Sequence, residues 1–195
     1  MSSILNDRSF IRFVAKFILL FSLLYFGTLI IIGLSAPDDY YSPFVARYLD
    51  FVSQLKWGLM KSTKWLLSVF GIETYFAPNF SIKIVEGRGV RIAMSCVGYG
   101  VYSFWIAFIL ASAGKWVSKM LWVLGGLLLL WTINVVRISL FLLAVDRNWP
   151  MPLGLDHHTW FNIFAYGAIF TMMYFFYKSG SAPRQPESKN ESGQG

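Results

Sequence analysis

The sequence predicts an all-α polytopic membrane protein with about four transmembrane helices, an extracytoplasmic amphipathic helix and a short β-hairpin. Of its 195 residues, 56% are hydrophobic and only 14% are charged. This composition is too apolar for an ordinary soluble domain, and the length suits one small membrane domain. The apolar residues gather into runs that approach the roughly 30 Å of a bilayer core. The predicted spans are residues 17–34, 97–113, 120–145 and 160–176.

The basic residues give a formal net charge of +7 and lie in small groups beside the apolar runs. Basic residues in such positions more often orient a membrane protein and meet lipid headgroups than bind nucleic acid. We therefore expect a lipid bilayer as a partner and no nucleic acid. A single cysteine excludes an intrachain disulfide framework, and no Cys and His spacing predicts a metal site, so no cofactor is expected.

The distribution of basic residues predicts which side of the membrane each segment faces. With four spans, the amino terminus, the loop containing Lys115 and Lys119, and the tail share one side, which the positive-inside rule makes cytoplasmic. The loop 35–96 then lies outside, and although it is basic, long loops translocate largely regardless of charge. Residues 1–178 form one membrane domain, and the polar segment 179–195 is predicted to be a disordered cytoplasmic tail.

The outer loop contains two predicted elements. Residues 44–71 place polar and apolar side chains at helical spacing, which is typical of an amphipathic helix lying on the membrane or against other helices. A solvent-facing connector is the alternative. Residues 80–94 alternate apolar and polar side chains on both sides of Glu86-Gly-Arg-Gly89, which predicts a β-hairpin. Its second strand leads to Cys96.

Three reactive residue types meet at the outer boundary under this topology. Cys96 begins the second span, and His157 and His158 begin the fourth. Arg137 lies roughly 27 Å beyond Lys119 along a helix, so it also reaches the outer leaflet. Hydrophobic patterning alone does not require these residues to converge.

Each of these residues also has a structural explanation. A single cysteine is often a small buried hydrophobe, or a site of palmitoylation or of an intermolecular disulfide. An arginine near the interface can extend to the headgroups. However, a free thiol facing an oxidising compartment is open to oxidation, and a charge in an apolar helix is by default a functional hypothesis. Asn134, one turn before Arg137, could brace the guanidinium or share its acceptor.

The residue types together suit acyl transfer through a thioester. A thiolate at Cys96 would attack a peptide carbonyl, and Arg137 would neutralise the oxyanion. Two adjacent histidines on a helix point about 100° apart and cannot easily share one metal ion. A general acid or base is therefore the better use of one imidazole, which would protonate the departing amine.

Three short stretches resemble the exosortase/archaeosortase family of prokaryotic membrane transpeptidases. They are Ser95-Cys-Val-Gly98, Asn134-Val-Val-Arg-Ile138 and Asp156-His-His158. The resemblance implies that Cys96 is the nucleophile, Arg137 the electrostatic stabiliser and a histidine the proton carrier. It also implies a prokaryotic inner-membrane location with the site facing outward. The substrate would be an exported protein with a C-terminal sorting tag, passed on to a surface acceptor.

The chain departs from this family in its number of spans, in the residues after its histidines, and in its long outer loop, which has no counterpart there. Many members have more than four spans, and their histidine tends to be followed four residues later by glycine. Here Asn162 follows His158 and Phe161 follows His157 at that distance; we favour His158 and keep His157 as a candidate. The alternative function is a non-enzymatic membrane assembly or export subunit in which Cys96 is incidental. A transporter is less favoured, because only one charge is clearly intramembrane and no inverted repeat is evident.

Overall fold

The protein is mostly helical with one small antiparallel sheet, which confirms the coarse fold prediction. The structure, a computed structural model, describes residues 8–36, 40–149 and 157–179. A short 3₁₀ helix, Met94–Cys96, separates the sheet from the later helices. The helices are α1 Arg8–Ser35, α2 Pro43–Tyr48, α3 Phe51–Val69, α4 Tyr99–Ala111, α5 Trp116–Asp146 and α6 His157–Lys178, and the strands are β1 Thr74–Ala77, β2 Ser81–Ile84 and β3 Gly89–Arg91.

Two helices within the described residues, α1 and α5, are long and apolar enough to cross a membrane. Four transmembrane spans are therefore not supported. Helix α4 has 13 residues, or about 20 Å, which is shorter than a bilayer core of roughly 30 Å. Helix α6 has 22 residues but does not reach the same apolarity, because it carries two histidines, an asparagine and several tyrosines.

Helix α5 runs through the molecule and contributes to two separate hydrophobic cores. Its amino-terminal half packs with α4 and α6, and its carboxy-terminal half packs with α3 and the sheet. We call the first the helix core, formed by Trp105, Phe108, Ile109, Val123, Leu130, Ile169, Met172 and Phe176. We call the second the sheet core, formed by Leu59, Met60, Leu67, Ile82, Val90, Ile92, Cys96, Val135, Ile138 and Leu142.

The helix core depends on a close approach of α4 to α5. A Cβ atom at Gly126 would lie only 2.0 Å from the indole nitrogen of Trp105, so only glycine leaves room for this ring. The indole N–H of Trp105 donates to the backbone carbonyl of Trp122 at 3.1 Å. Helix α1 packs along α4 through aromatic rings, with Phe17 against Phe104 at 5.3 Å between centroids. These contacts fix α4 between α1 and α5.

The elements of the segment 35–96 differ from the predicted ones in detail. The single helix predicted over 44–71 is two helices, because the Asp50 side chain accepts from the Ser53 N–H at 3.0 Å and starts α3 afresh. The hairpin predicted over 80–94 is a three-stranded meander that gains β1 and ends at Arg91. Strand β1 has only four residues, too few for a clear alternating pattern.

The sheet is joined directly to the carboxy-terminal end of α5. The Asp146 carboxylate accepts from the backbone N–H of Arg88, in the turn between β2 and β3, at 2.9 Å. Ile82 of β2 pairs with Val90 of β3, and both side chains enter the sheet core beside α5. The chain leaving β3 is therefore held against α5 as it approaches Cys96. The tail from residue 180 onward lies outside the described residues.

Candidate functional site

Cys96 lies at a corner between the sheet and α4. It ends the 3₁₀ helix, and Gly98 caps α4 two residues later with a φ of 76°. Side chains other than glycine rarely adopt this left-handed conformation, so Gly98 allows the sharp change of direction. Cys96 is 8% exposed and belongs to the sheet core. The thiol is thus held on a fixed backbone, at the boundary between the two cores.

Arg137 of α5 contacts Cys96 directly. Its Nη2 lies 3.4 Å from the Cys96 Sγ, and its Nη1 lies 3.5 Å from the Cys96 carbonyl oxygen. The side chain is half-buried on the part of α5 that packs in the sheet core, between Val135 and Ile138. A guanidinium in this place stabilises negative charge on the sulfur and on an oxygen formed next to it.

Asn134 joins the other two residues and is only 1% exposed. Its amide nitrogen donates to the carbonyl oxygens of Cys96 at 2.9 Å and of Val97 at 3.2 Å. Its amide oxygen accepts from Arg137 Nη1 at 3.2 Å. Asn134 therefore braces the guanidinium and also shares the Cys96 carbonyl with it, the two arrangements that its spacing from Arg137 suggested.

The histidines are placed only by their backbone. His157 and His158 open α6, and their side chains lie outside the described residues. Asn162, one turn after His158, lines a cavity of about 460 Å³ together with Gly98 and Tyr99 at the start of α4. The first turns of α6 and of α4 thus lie at the same end of the molecule. The structure brings Cys96 and Arg137 into contact, and the catalytic roles of Cys96, Arg137, His157 and His158 all stay predictions.

Lys56 is a residue of this region that the sequence interpretation missed. It is 6% exposed, on the face of α3 that enters the sheet core, and its Nζ lies 4.7 Å above the centre of the Phe80 ring. Burial lowers the pKa of Lys56, the nearby Arg91 lowers it further, and Asp50 and Cys96 act in the opposite direction. The signal was its position in the apolar stripe between Val52 and Leu59, where a lysine is out of place.

The site is cationic around its sulfur atom. Arg137 contacts the thiol, and Lys56 is near enough for its charge to interact with Cys96. Within the described residues, no three His, Cys, Asp or Glu side chains gather closely enough to hold a metal ion. The arrangement is chemically suited to a nucleophilic sulfur and to the stabilisation of anions beside it.

Comparison with known proteins does not assign a function to this site. The chain matches no protein family model, no curated protein and no solved structure.

Proposed function

We propose that the protein is a membrane-embedded cysteine transpeptidase or protease of the exosortase type. It cleaves the C-terminal sorting tag of an exported protein through a thioester and passes the protein to a surface acceptor. The observation that supports this proposal best is the 3.4 Å contact between the Arg137 guanidinium and the Cys96 sulfur. The two residues are 41 positions apart, and the contact joins a nucleophile to a group that stabilises anions.

The chemistry follows from these positions. The Cys96 thiolate attacks the carbonyl carbon of the scissile peptide bond, and the carbonyl oxygen becomes an oxyanion that Arg137 stabilises. The C–N bond then breaks, the amine of the tag leaves with a proton from His158 or His157, and a thioester remains on Cys96. An acceptor nucleophile attacks the thioester, gives its proton to the imidazole and releases the Cys96 thiolate.

The proposed membrane arrangement places the site on the extracytoplasmic side. Helices α1 and α5 have the length and apolarity of spans, and α4 and α6 complete the bundle as shorter or less apolar helices. Arg137 lies about 31 Å along α5 from Trp116, close to one full bilayer core. With Lys115 and Lys119 on the cytoplasmic side, Cys96, Arg137 and the start of α6 lie at the outer boundary of the inner membrane.

Replacing the nucleophile tests the function. We expect Cys96→Ala to abolish removal of the tail from a tagged exported protein, in a strain lacking related enzymes, with normal abundance of the variant. Tail removal is followed by the change in substrate mass. Ser139→Ala is the matched control, because Ser139 of α5 is as small and as buried as Cys96. The Ser139→Ala variant should still remove the tail. Unchanged processing by Cys96→Ala would end the proposal.

A second candidate is a non-enzymatic assembly or export subunit. The observation that favours it is the burial of Cys96, 8% exposed, together with the two hydrogen bonds from Asn134 to the backbone of this corner. A purely structural corner would use the same bonds. In that case Cys96→Ala leaves tail removal and protein abundance unchanged, whereas Asn134→Ala reduces the abundance of the folded protein.

A further inference from the structure

A second buried lysine, Lys119, lies at the end of α5 that is far from Cys96. Its side chain is 8% exposed, and its Nζ donates to the carbonyl oxygen of Leu110, in the last turn of α4, at 3.1 Å. The same Nζ lies 5.3 Å above the centre of the Trp116 ring. An ammonium has three N–H donors, and its removal from water costs free energy unless other groups replace its hydration. One carbonyl and one ring replace only part of it.

Lys16 of α1 adds a second positive charge at this place, because its charge acts on that of Lys119. The packing of α1 on α4 explains the proximity. Phe13, one turn before Lys16, meets Phe108 edge to face at 5.9 Å between centroids, and Leu110 follows two residues later. The two ammonium groups therefore repel each other at the junction of α1, α4 and α5.

The charges of the described residues are divided between the two ends of α5. The carboxylates in this part of the chain lie before α3, beside the strands and at the last residue of α5, and they are Asp50, Glu73, Glu86 and Asp146. The opposite end carries cations, which are Arg8, Arg12, Lys16, Lys115, Lys119 and Lys178. Within the described ranges, no carboxylate neutralises the pair formed by Lys16 and Lys119.

We propose that Lys16 and Lys119 together bind the phosphate of one anionic phospholipid, in the leaflet that the proposed topology makes cytoplasmic. Phosphate oxygens would accept from both Nζ atoms, replace the hydration that Lys119 has lost and offset the repulsion between the two charges. A headgroup such as glycerol is preferred to choline, because choline would bring another positive charge to the pair.

Two features separate this site from the loose attraction of exposed lysines to a charged membrane. Lys119 is held in one place by Leu110 and Trp116, so one of the two ligand-binding groups is already ordered. The Trp116 ring is itself 68% exposed, and tryptophan is typical of the level of the lipid headgroups. The site does not involve Cys96, so it goes beyond the proposed function and does not depend on it.

Native mass spectrometry of the detergent-solubilised full chain, with added lipid, tests the proposal. We expect one molecule of phosphatidylglycerol to bind about threefold to tenfold more tightly than phosphatidylcholine with the same acyl chains. Inorganic phosphate at the same concentration should not displace it. Equal binding of the two lipids would overturn the proposal, and displacement by inorganic phosphate would overturn the assignment of the ligand as a lipid.

Lys16→Met assigns the binding to this pair without disturbing a buried group, because Lys16 is exposed. It should weaken the binding of phosphatidylglycerol about threefold to tenfold and leave that of phosphatidylcholine unchanged. Lys178→Met is the matched control. It removes an exposed lysine from the same end of the molecule, where the adjacent Tyr177 packs against Phe108 at 6.2 Å, and Lys178 is not among the charges that act on Lys119.

The control variant should bind phosphatidylglycerol as the wild type does. Equal weakening by Lys16→Met and Lys178→Met would show attraction to the general positive charge of this end and would overturn the site. Lys119→Met should weaken the binding at least as much as Lys16→Met. If Lys119→Met does not fold, because the end of α4 has lost its bond to Lys119, the comparison of Lys16→Met with Lys178→Met decides the matter.

Discussion

Asn134 is the residue on which the geometry of the site depends most. It is buried, and it donates to two carbonyl groups of the Cys96 corner while it accepts from Arg137. Without it the guanidinium would lose one acceptor, and the corner would lose two of its hydrogen bonds to α5. The alignment of sulfur and guanidinium is therefore a property of three side chains and not of two.

Replacing Asn134 with alanine tests this role. We expect Asn134→Ala to lower the free energy of unfolding by about 1–3 kcal/mol, because it removes donors from two buried carbonyl oxygens. Denaturant unfolding in detergent measures this change. Thr132→Ala, at an exposed hydroxyl on the same helix, should stay within about 0.5 kcal/mol of the wild type. Equal stability of the two variants would contradict the proposed role of Asn134.

At the residue scale, sequence spacing predicted some of these relations and missed others. Asn134 and Arg137 are one helical turn apart, so their proximity follows from the period of the helix. Their contact with Cys96 depends on how separate elements pack, and spacing alone does not determine packing. Lys56 lies within the predicted amphipathic helix 44–71, and its charge gave no indication that the helical period places it among buried side chains. The side chains of His157 and His158 lie outside the described residues.

At the element scale, α5 organises the molecule because it contributes to both cores. Its predicted span, 120–145, lies within the observed helix Trp116–Asp146, since a long apolar run gives a strong signal. Short elements gave weaker signals. The four residues of β1 were missed. Helices α2 and α3 were predicted as one helix, because the capping of α3 by Asp50 was not recognised.

Two adjacent glycines of α5 allow a matched test of its packing. A Cβ atom at Gly126 would overlap the Trp105 ring, whereas one at Gly125 meets nothing within 4 Å. We expect Gly126→Ala to lower the free energy of unfolding by about 1–3 kcal/mol through overpacking. Gly125→Ala should raise it by about 0.5–1 kcal/mol, because alanine favours the helix. Thermal unfolding in detergent compares them, and equal effects would refute the close packing of α4 on α5.

At the scale of the whole molecule, the site lies where the helix core meets the sheet core. Composition predicted a helical membrane protein, and two helices have the length and apolarity of spans. The prediction of four spans included α4 and α6 because both segments are rich in apolar residues. Helix length limits α4 and polar side chains limit α6, and neither limit was evident from the apolar runs alone.

The side of the membrane that Cys96 faces can be measured on intact cells. We expect a membrane-impermeant thiol reagent added from outside to label Cys96, the only cysteine of the chain, because the proposed topology places it at the outer boundary. A double variant with Cys96→Ser and Lys115→Cys moves the thiol to the predicted cytoplasmic loop. It should be labelled only after the cells are opened. Labelling of Cys96 only from the cytoplasmic side would contradict the proposed topology.

In the proposed mechanism, the sulfur of Cys96 forms a covalent bond to the carbonyl carbon of its substrate. Mass spectrometry of the wild-type chain, acid-quenched during turnover of a tagged protein, can detect this bond. We predict a substrate adduct on the peptide containing Cys96 that hydroxylamine removes, as expected of a thioester, and that Cys96→Ala lacks. Continued cleavage of the tag with no adduct at Cys96, or with the adduct at another residue, would rule out Cys96 as the nucleophile.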